Sequence, residues 1–178
     1  GGIGLNVIQA SVISGATRII AIDVTQDRLD QARRFGATDI ILSDPADVSM
    51  AAVREQVRAM TVRGADYAFE CTAIPALGAA PLALIRHGGT AVQVSGIEQV
   101  IPFDCTLFEW DKIYINPLYG KCDPPRDFPI LQSLYRKGAL KLDEMITQTY
   151  TFDQMAAAFA DLLAGRLAKG VLLTSGGQ

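Results

Sequence analysis

The sequence predicts an α/β fold: a doubly wound, mostly parallel sheet with helices on both faces. Three observations carry that expectation. Apolar runs of strand length alternate with amphipathic stretches of helical length along the chain. The run at 18–22 is continuously apolar after Arg18 rather than alternating, the pattern of a strand buried on both sides. And a glycine cluster at residue 1 opens an apolar helix that leads into a β-branched strand ending in a lone carboxylate.

That opening unit runs from Gly1-Gly2-Ile3-Gly4 to Arg18-Ile19-Ile20-Ala21-Ile22-Asp23. Gly1 and Gly4 have the spacing of the second and third glycines of G-x-G-x-x-G, so the first glycine and the strand before it are expected upstream of residue 1. The second glycine lets the backbone approach a pyrophosphate, and the third lets the helix pack closely on its strand. The following helix, 5–14, would turn its free N–H groups and positive dipole end toward phosphates. Asp23 lies nineteen residues beyond Gly4, near the offset of roughly 20 at which an acid holds the ribose hydroxyls. A carboxylate there repels a 2′-phosphate and so favours NAD over NADP. The Thr25 hydroxyl is the expected N-cap of the next helix, which would leave Asp23 free for the ribose. The pattern is that of a Rossmann-like domain whose first strand is missing.

The remaining elements follow in order. A buried strand is expected at 18–22, a helix at 25–35 stopped by Gly36, and a short strand at 39–42 broken by Asp44-Pro45. An amphipathic helix at 48–60 carries Val53, Val57 and Met60 on one face. A strand at 65–70 ends at Cys71-Thr72, where the crevice of a doubly wound sheet would lie. A helix at 77–85, a turn at His87-Gly88-Gly89 and a strand at 90–95 come next. Segments 101–108 and 112–115 read as extended, 121–126 as a loop, and 128–137 as a helix with Leu131, Leu134 and Tyr135 inward. The last helix, 152–163, has Thr151 as N-cap and Phe152 and Phe159 as core residues, and a final strand spans 171–174. With one strand absent from the middle of a 3-2-1-4-5-6 order, the sheet should be interrupted. A rearrangement, a second copy or disorder in the first helix is expected to close the gap.

Composition narrows the function. The 178 residues are 49% hydrophobic and 20% charged, enough for a single domain over 1–178 with a sizeable core. A net charge of −3 offers no basic footprint for nucleic acid. No apolar run approaches the roughly 18 residues that a membrane span needs, and an odd count of widely spaced cysteines, Cys71, Cys105 and Cys122, suits a reduced, cytoplasmic protein.

Several motifs resemble, in the right order, the coenzyme domain of zinc-type medium-chain alcohol dehydrogenases. They are Gly1-Gly2-Ile3-Gly4-Leu5, Ile20-Ala21-Ile22-Asp23, Arg33-Arg34-Phe35-Gly36-Ala37-Thr38, Tyr67-Ala68-Phe69-Glu70-Cys71-Thr72, Asn116-Pro117-Leu118-Tyr119-Gly120 and Leu140-Lys141-Leu142-Asp143-Glu144-Met145-Ile146-Thr147. The resemblance covers nearly the whole chain and implies an NAD-binding half of an enzyme that exchanges a hydride between an alcohol or aldehyde and NAD. It implies that Gly1, Gly2 and Ile3 form the pyrophosphate turn, that Asp23 is the ribose acid, and that Arg28 lies beside the adenosine ribose. Thr72 and Val94 match positions that contact the adenine-side and nicotinamide-side sugars, and Pro117 and Tyr119 match the loop that holds the carboxamide. Lys169 stands where the family usually has an arginine on the pyrophosphate, and keeps the charge without the bidentate fork. Lys121 departs from the family's usual glycine. The segment 112–118 corresponds to the family's dimer strand, so a homodimer is implied.

Catalysis is expected to lie elsewhere. Zinc-assisted alcohol oxidation needs about three protein ligands, usually Cys and His. The single histidine, His87, reads as an exposed helix-end residue, and the cysteine spacing matches no C-x₂-C pattern. In the resembling family the zinc ligands lie in the half that this sequence lacks, so no catalytic or metal-binding residue is assigned. Glu70 reads as ordering its local turn rather than as a general base. Two other readings stand beside the preferred one. A zinc-independent quinone or enoyl reductase domain would favour NADPH, which Asp23 opposes, and a non-catalytic remnant would self-associate and bind nucleotide poorly.

Overall fold

The computed structural model describes residues 1–174 of the chain. Helix α1 (Gly2–Ile13) leads to β1 (Ile20–Asp23), α2 (Gln26–Phe35), β2 (Asp39–Leu42), α3 (Ala51–Thr61) and β3 (Ala65–Glu70). A short helix α4 (Ala80–Leu84), β4 (Ile85–Gln93) and β5 (Ile113–Ile115) follow. Helix α5 (Pro124–Arg136), β6 (Ile146–Thr151), α6 (Met155–Leu163) and β7 (Lys169–Leu173) complete the order. Every strand pair is parallel.

The strands form three separate sheets, β1-β2, β3-β4-β5 and β6-β7. The expected interruption therefore falls between β1 and β3. Of the expected closures, disorder in the first helix does not apply: α1 is a regular helix, and among the described residues no strand joins the two sheets. What joins them is packing. On one face Ile41 of β2, Ala68 of β3 and Ala91 of β4 share a cluster with Val53 and Val57 of α3 and Leu82 of α4. On the opposite face of β1, Ala21 packs with Leu5 and Ile8 of α1 and Leu29, Ala32 and Phe35 of α2. Helices thus cover both faces of β1-β2, which is the doubly wound arrangement. Beside the gap the same face of β3 is open: Tyr67 is 63% and Phe69 41% exposed, their rings stacked 6.5 Å apart.

Several boundaries differ from expectation, for identifiable reasons. Strand β4 begins at Ile85, because Gly88, at φ 67°, absorbs a register shift between Ala65↔Ile85 and Tyr67↔Thr90. His87 therefore lies in a strand bulge, its ring 5.9 Å from that of Trp110, and not at a helix end. Segment 101–108 forms no strand; Asp104 accepts from the Thr106 amide and turns the chain into a 3₁₀ turn at Cys105–Phe108. Cys105 is exposed there. Helix α5 begins at Pro124, because Pro124 and Pro125 occupy its first turn, where their missing N–H groups cost nothing. Leu131 and Tyr135 on it are exposed. Strand β6, unread in the sequence, pairs with β7 from Ile146↔Lys169 to Thr151↔Leu173. Thr151 and Gln154 form the expected cap as a capping box. Yet Phe152 and Phe159 are 62% and 57% exposed and not core, since no described element covers that side of α6.

Candidate functional site

The carboxyl ends of β1 and β3 meet the N-terminus of α1 at one edge, beside the start of β7. The first bond of α1 runs from the Leu5 N–H to the Gly1 carbonyl at 3.1 Å. The amides of Gly2, Ile3 and Gly4 precede it and have no intrahelical acceptor. Their partial positive charge makes that end a seat for an anion. A Cβ on Gly1 would meet nothing within 4 Å, so space lies open before the helix. A Cβ on Gly2 would stand 2.9 Å from the Ala168 carbonyl oxygen, so the close approach is made at Gly2 to the segment entering β7. A Cβ on Gly4 would make only an ordinary 3.9 Å contact with Cys71. The tight helix-on-strand packing expected at Gly4 is not seen, since no strand among the described residues packs there. Ile3 is exposed on the same turn.

Asp23 ends β1 beside this turn. Its Oδ1 accepts from the Thr25 amide at 3.1 Å and lies 3.6 Å from Nη1 of Arg28. The Thr25 side chain makes no cap bond, so Asp23 closes its own turn into α2 and is not wholly free. Arg28 also donates from Nη2 to the Gly165 carbonyl at 2.9 Å. Lys169 opens β7 directly after Ala168, and both their amides donate to the Thr147 hydroxyl, at 3.4 and 2.9 Å. Gly1, Gly2, Asp23, Arg28 and the 165–169 segment are thus gathered at one place.

Thr72 and Val94 sit at the neighbouring strand ends, held by Glu70, which is 4% exposed. Its Oε1 accepts from the Thr72 amide at 2.6 Å, the Thr72 hydroxyl at 2.5 Å and the Ala73 amide at 3.1 Å, while Oε2 accepts from the buried Ser95 hydroxyl. The Val94 amide donates to the Glu70 carbonyl at 2.9 Å. Glu70 therefore orders the turn, as read from the sequence. The polar tie continues through Gln93, which donates to the Ser95 carbonyl at 3.2 Å, to the Tyr114 hydroxyl, 3.0 Å from Oε1 of Gln93. The roles of Gln93, Ser95 and Tyr114 went unread, although two polar residues inside or closing an apolar strand are the signal for such a network. Burial, with the Glu70 charge second, raises the Tyr114 pKa. The same two causes push the Cys71 thiol up to about 11.

Pro117 and Tyr119 lie past the end of β5, whose Ile115 pairs with Val92 of β4. Tyr119, at φ 47°, is 87% exposed, and among the described residues no side-chain hydrogen bond ties it to the other site residues. Two concavities lie beside α1 and the segment around Lys141, and the second reaches Ala168. One is lined by residues such as Tyr135, Leu140, Lys141 and Glu144, the other by residues such as Leu5, Phe35, Lys141 and Thr147. They flank the segment that Gln9 holds by a paired amide contact to the Lys141 backbone, at 2.7 and 3.1 Å.

A family model for zinc-binding dehydrogenases matches residues 2–116. The chain belongs to the zinc-binding dehydrogenase family. Alcohol dehydrogenase-like 2 of Arabidopsis thaliana is 32% identical over 168 residues, which make up 93% of this chain and 43% of the plant protein. The putative alcohol dehydrogenase D of Mycobacterium tuberculosis strain H37Rv is 32% identical over 183 residues, 97% of this chain and 47% of that protein. Among solved structures, an alcohol dehydrogenase zinc-binding domain protein from Burkholderia ambifaria superposes with a TM-score of 0.86 at 29% identity, covering 97% of this chain and 46% of that one. For 2R,3R-butanediol dehydrogenase from Bacillus subtilis the TM-score is 0.84 at 26% identity, with 98% and 49% covered. The chain thus spans less than half the length of these relatives. It is an alcohol dehydrogenase-like domain, and no described helix is long and apolar enough to cross a membrane.

The residues of this zinc-binding dehydrogenase domain do not fit a zinc ion. Among the described residues no three His, Cys, Asp or Glu side chains stand together. The raised Cys71 pKa opposes the thiolate that zinc binds. The groups gathered at the α1 end are of another kind: backbone amides without an intrahelical acceptor, with the Asp23 carboxylate and the Arg28 guanidinium beside them.

Proposed function

We propose that this domain binds NAD at the α1 end and serves as the coenzyme half of an alcohol dehydrogenase. The reading rests on one observation, the convergence of the free α1 amides, Asp23, Arg28 and the Lys169 segment at a single strand-end crevice. The amides of Gly2 and Ile3 would take the pyrophosphate, with Lys169 supplying a countercharge. Asp23 would accept from the ribose hydroxyls, and its charge would reject a 2′-phosphate. Thr72 and Val94, held by the Glu70 network, would line the sugars, and Pro117 and Tyr119 would border the carboxamide. Bound NAD supplies a hydride acceptor for an alcohol and, once reduced, a donor for an aldehyde. This chain's residues hold and orient it. In the whole protein the metal and substrate groups belong outside this domain.

A homodimer through 112–118 and a cytoplasmic location belong to the same proposal. Strand β5 pairs only with β4 among the described residues, leaving one edge open to another copy, and three free thiols suit a reducing compartment. Sedimentation showing only monomer would remove the dimer.

Calorimetric titration with NAD and NADP tests the nucleotide reading. NAD should bind in the micromolar range with NADP much weaker, and Asp23→Ala should weaken NAD by roughly tenfold or more while narrowing that preference. A chain that melts cooperatively yet binds neither would instead be the non-catalytic, self-associating module.

A further inference from the structure

The contacts of Arg28 reach beyond the ribose acid. One nitrogen faces Asp23 Oδ1 at 3.6 Å, and the other donates to the Gly165 carbonyl at 2.9 Å. Gly165 lies in the turn between α6 and β7, at φ +69°, and a Cβ there would stand 2.3 Å from Arg28 Nη2. A side chain at Gly165 would therefore displace the guanidinium from the turn. Among the described residues β6 and β7 pair with no other strand and no residue of α6 is buried, so the α6–β7 turn is held by few contacts of its own. The same segment brings Ala168 against Gly2 and delivers Lys169 to the α1 end four residues after Gly165.

We infer that Arg28 is a positioning residue that latches the 165–169 turn to Asp23 and so holds Lys169 over the N-terminus of α1. This rests on the nucleotide reading above for its ligand, but the latch itself is a property of the empty protein. An arginine is required, because its fork reaches two acceptors at once and a lysine reaches one.

Two readouts separate the latch from that reading. The first needs no nucleotide: hydrogen exchange of the amides from Arg166 to Val171. Arg28→Ala, Arg28→Lys and Gly165→Ala should each speed exchange there by roughly tenfold, as expected for loss of a hydrogen bond to a charged group. Gly138→Ala is the control, since Gly138 has the same left-handed backbone, φ +70°, with nothing within 4 Å of its Cβ position. It carries the conformational cost without touching the latch. The second compares adenosine, which has the ribose and no phosphate, with ADP-ribose. In Gly165→Ala, ADP-ribose should weaken roughly tenfold and adenosine less than twofold, and adding Lys169→Ala should weaken ADP-ribose little further. Unchanged exchange in Arg28→Ala and Gly165→Ala, or equal loss of both ligands in Gly165→Ala, would overturn the latch. A wild-type chain that binds neither ligand would overturn the nucleotide reading, while the exchange result still decides the latch.

Discussion

Replacing Glu70 tests whether the strand-end network holds the crevice in shape. Glu70→Ala deletes the acceptor for the Thr72 and Ala73 amides, the Thr72 hydroxyl and the Ser95 hydroxyl. Thr72 and Ala73 are exposed, so water can replace the carboxylate there and the loss is small. Ser95 is only 3% exposed, and its hydroxyl would be left buried and unpaired. An orphaned buried group costs about 1–3 kcal/mol. The vacated side-chain volume adds about 1 kcal/mol. The expected destabilisation is therefore about 3 kcal/mol, or roughly 6–12 °C in Tm for a chain of this size. Glu70→Gln keeps an oxygen toward the amides and offers an NH₂ to Ser95, whose hydroxyl can turn to accept. It should cost about 1 kcal/mol. Urea denaturation and thermal melts of the three proteins give both numbers. A Glu70→Gln loss as large as that of Glu70→Ala would mean that charge, and not hydrogen bonding, organises the turn. An alanine variant within about 0.5 kcal/mol of wild type would mean that the network contributes nothing.

Cys71 and Gly64 give two further tests. The Cys71 thiol has its pKa raised from 9.0 to about 11, first by burial and then by the Glu70 charge. Its folded value exceeds its unfolded one, so the stability it contributes is complete below pH 9 and is lost as pH rises toward 11. Urea midpoints at pH 8 and 10 should therefore fall further for wild type than for Cys71→Ala; equal falls would refute the assignment. At Gly64, φ +113°, an added Cβ would sit 2.7 Å from the backbone of Ile85 and Arg86, whereas at Gly15, φ +81°, it would meet nothing within 4 Å. Gly15→Ala should cost about 1–2 kcal/mol from backbone strain alone, and Gly64→Ala clearly more. Similar Tm losses in the two variants would show that the close approach of β3 to β4 is not constrained there.

The sequence by itself determined the order of most elements and the residues that end them, because periodicity, glycine stops and capping groups are local. The Thr151 cap, the Gly36 and Gly165 stops and the placement of Asp23 at a strand end all follow from neighbours within a few residues. It also predicts an interrupted sheet, and among the described residues no strand lies between β1 and β3. Where reading failed, the deciding contact was distant. Phe152 and Phe159 carry the pattern of a buried helix face, but a pattern states only that a face should be covered, and not that anything described covers it. Segment 146–151 alternates threonine with larger residues and became a strand only through β7, about twenty residues on. The Arg28 latch joins residues 137 apart in sequence, and the Gln9 contact to Lys141 joins residues 132 apart. Side-chain chemistry can nominate such partners, but only the tertiary fold brings them within hydrogen-bonding distance, because the free energy that selects the pairing comes from packing of the whole chain rather than from either segment.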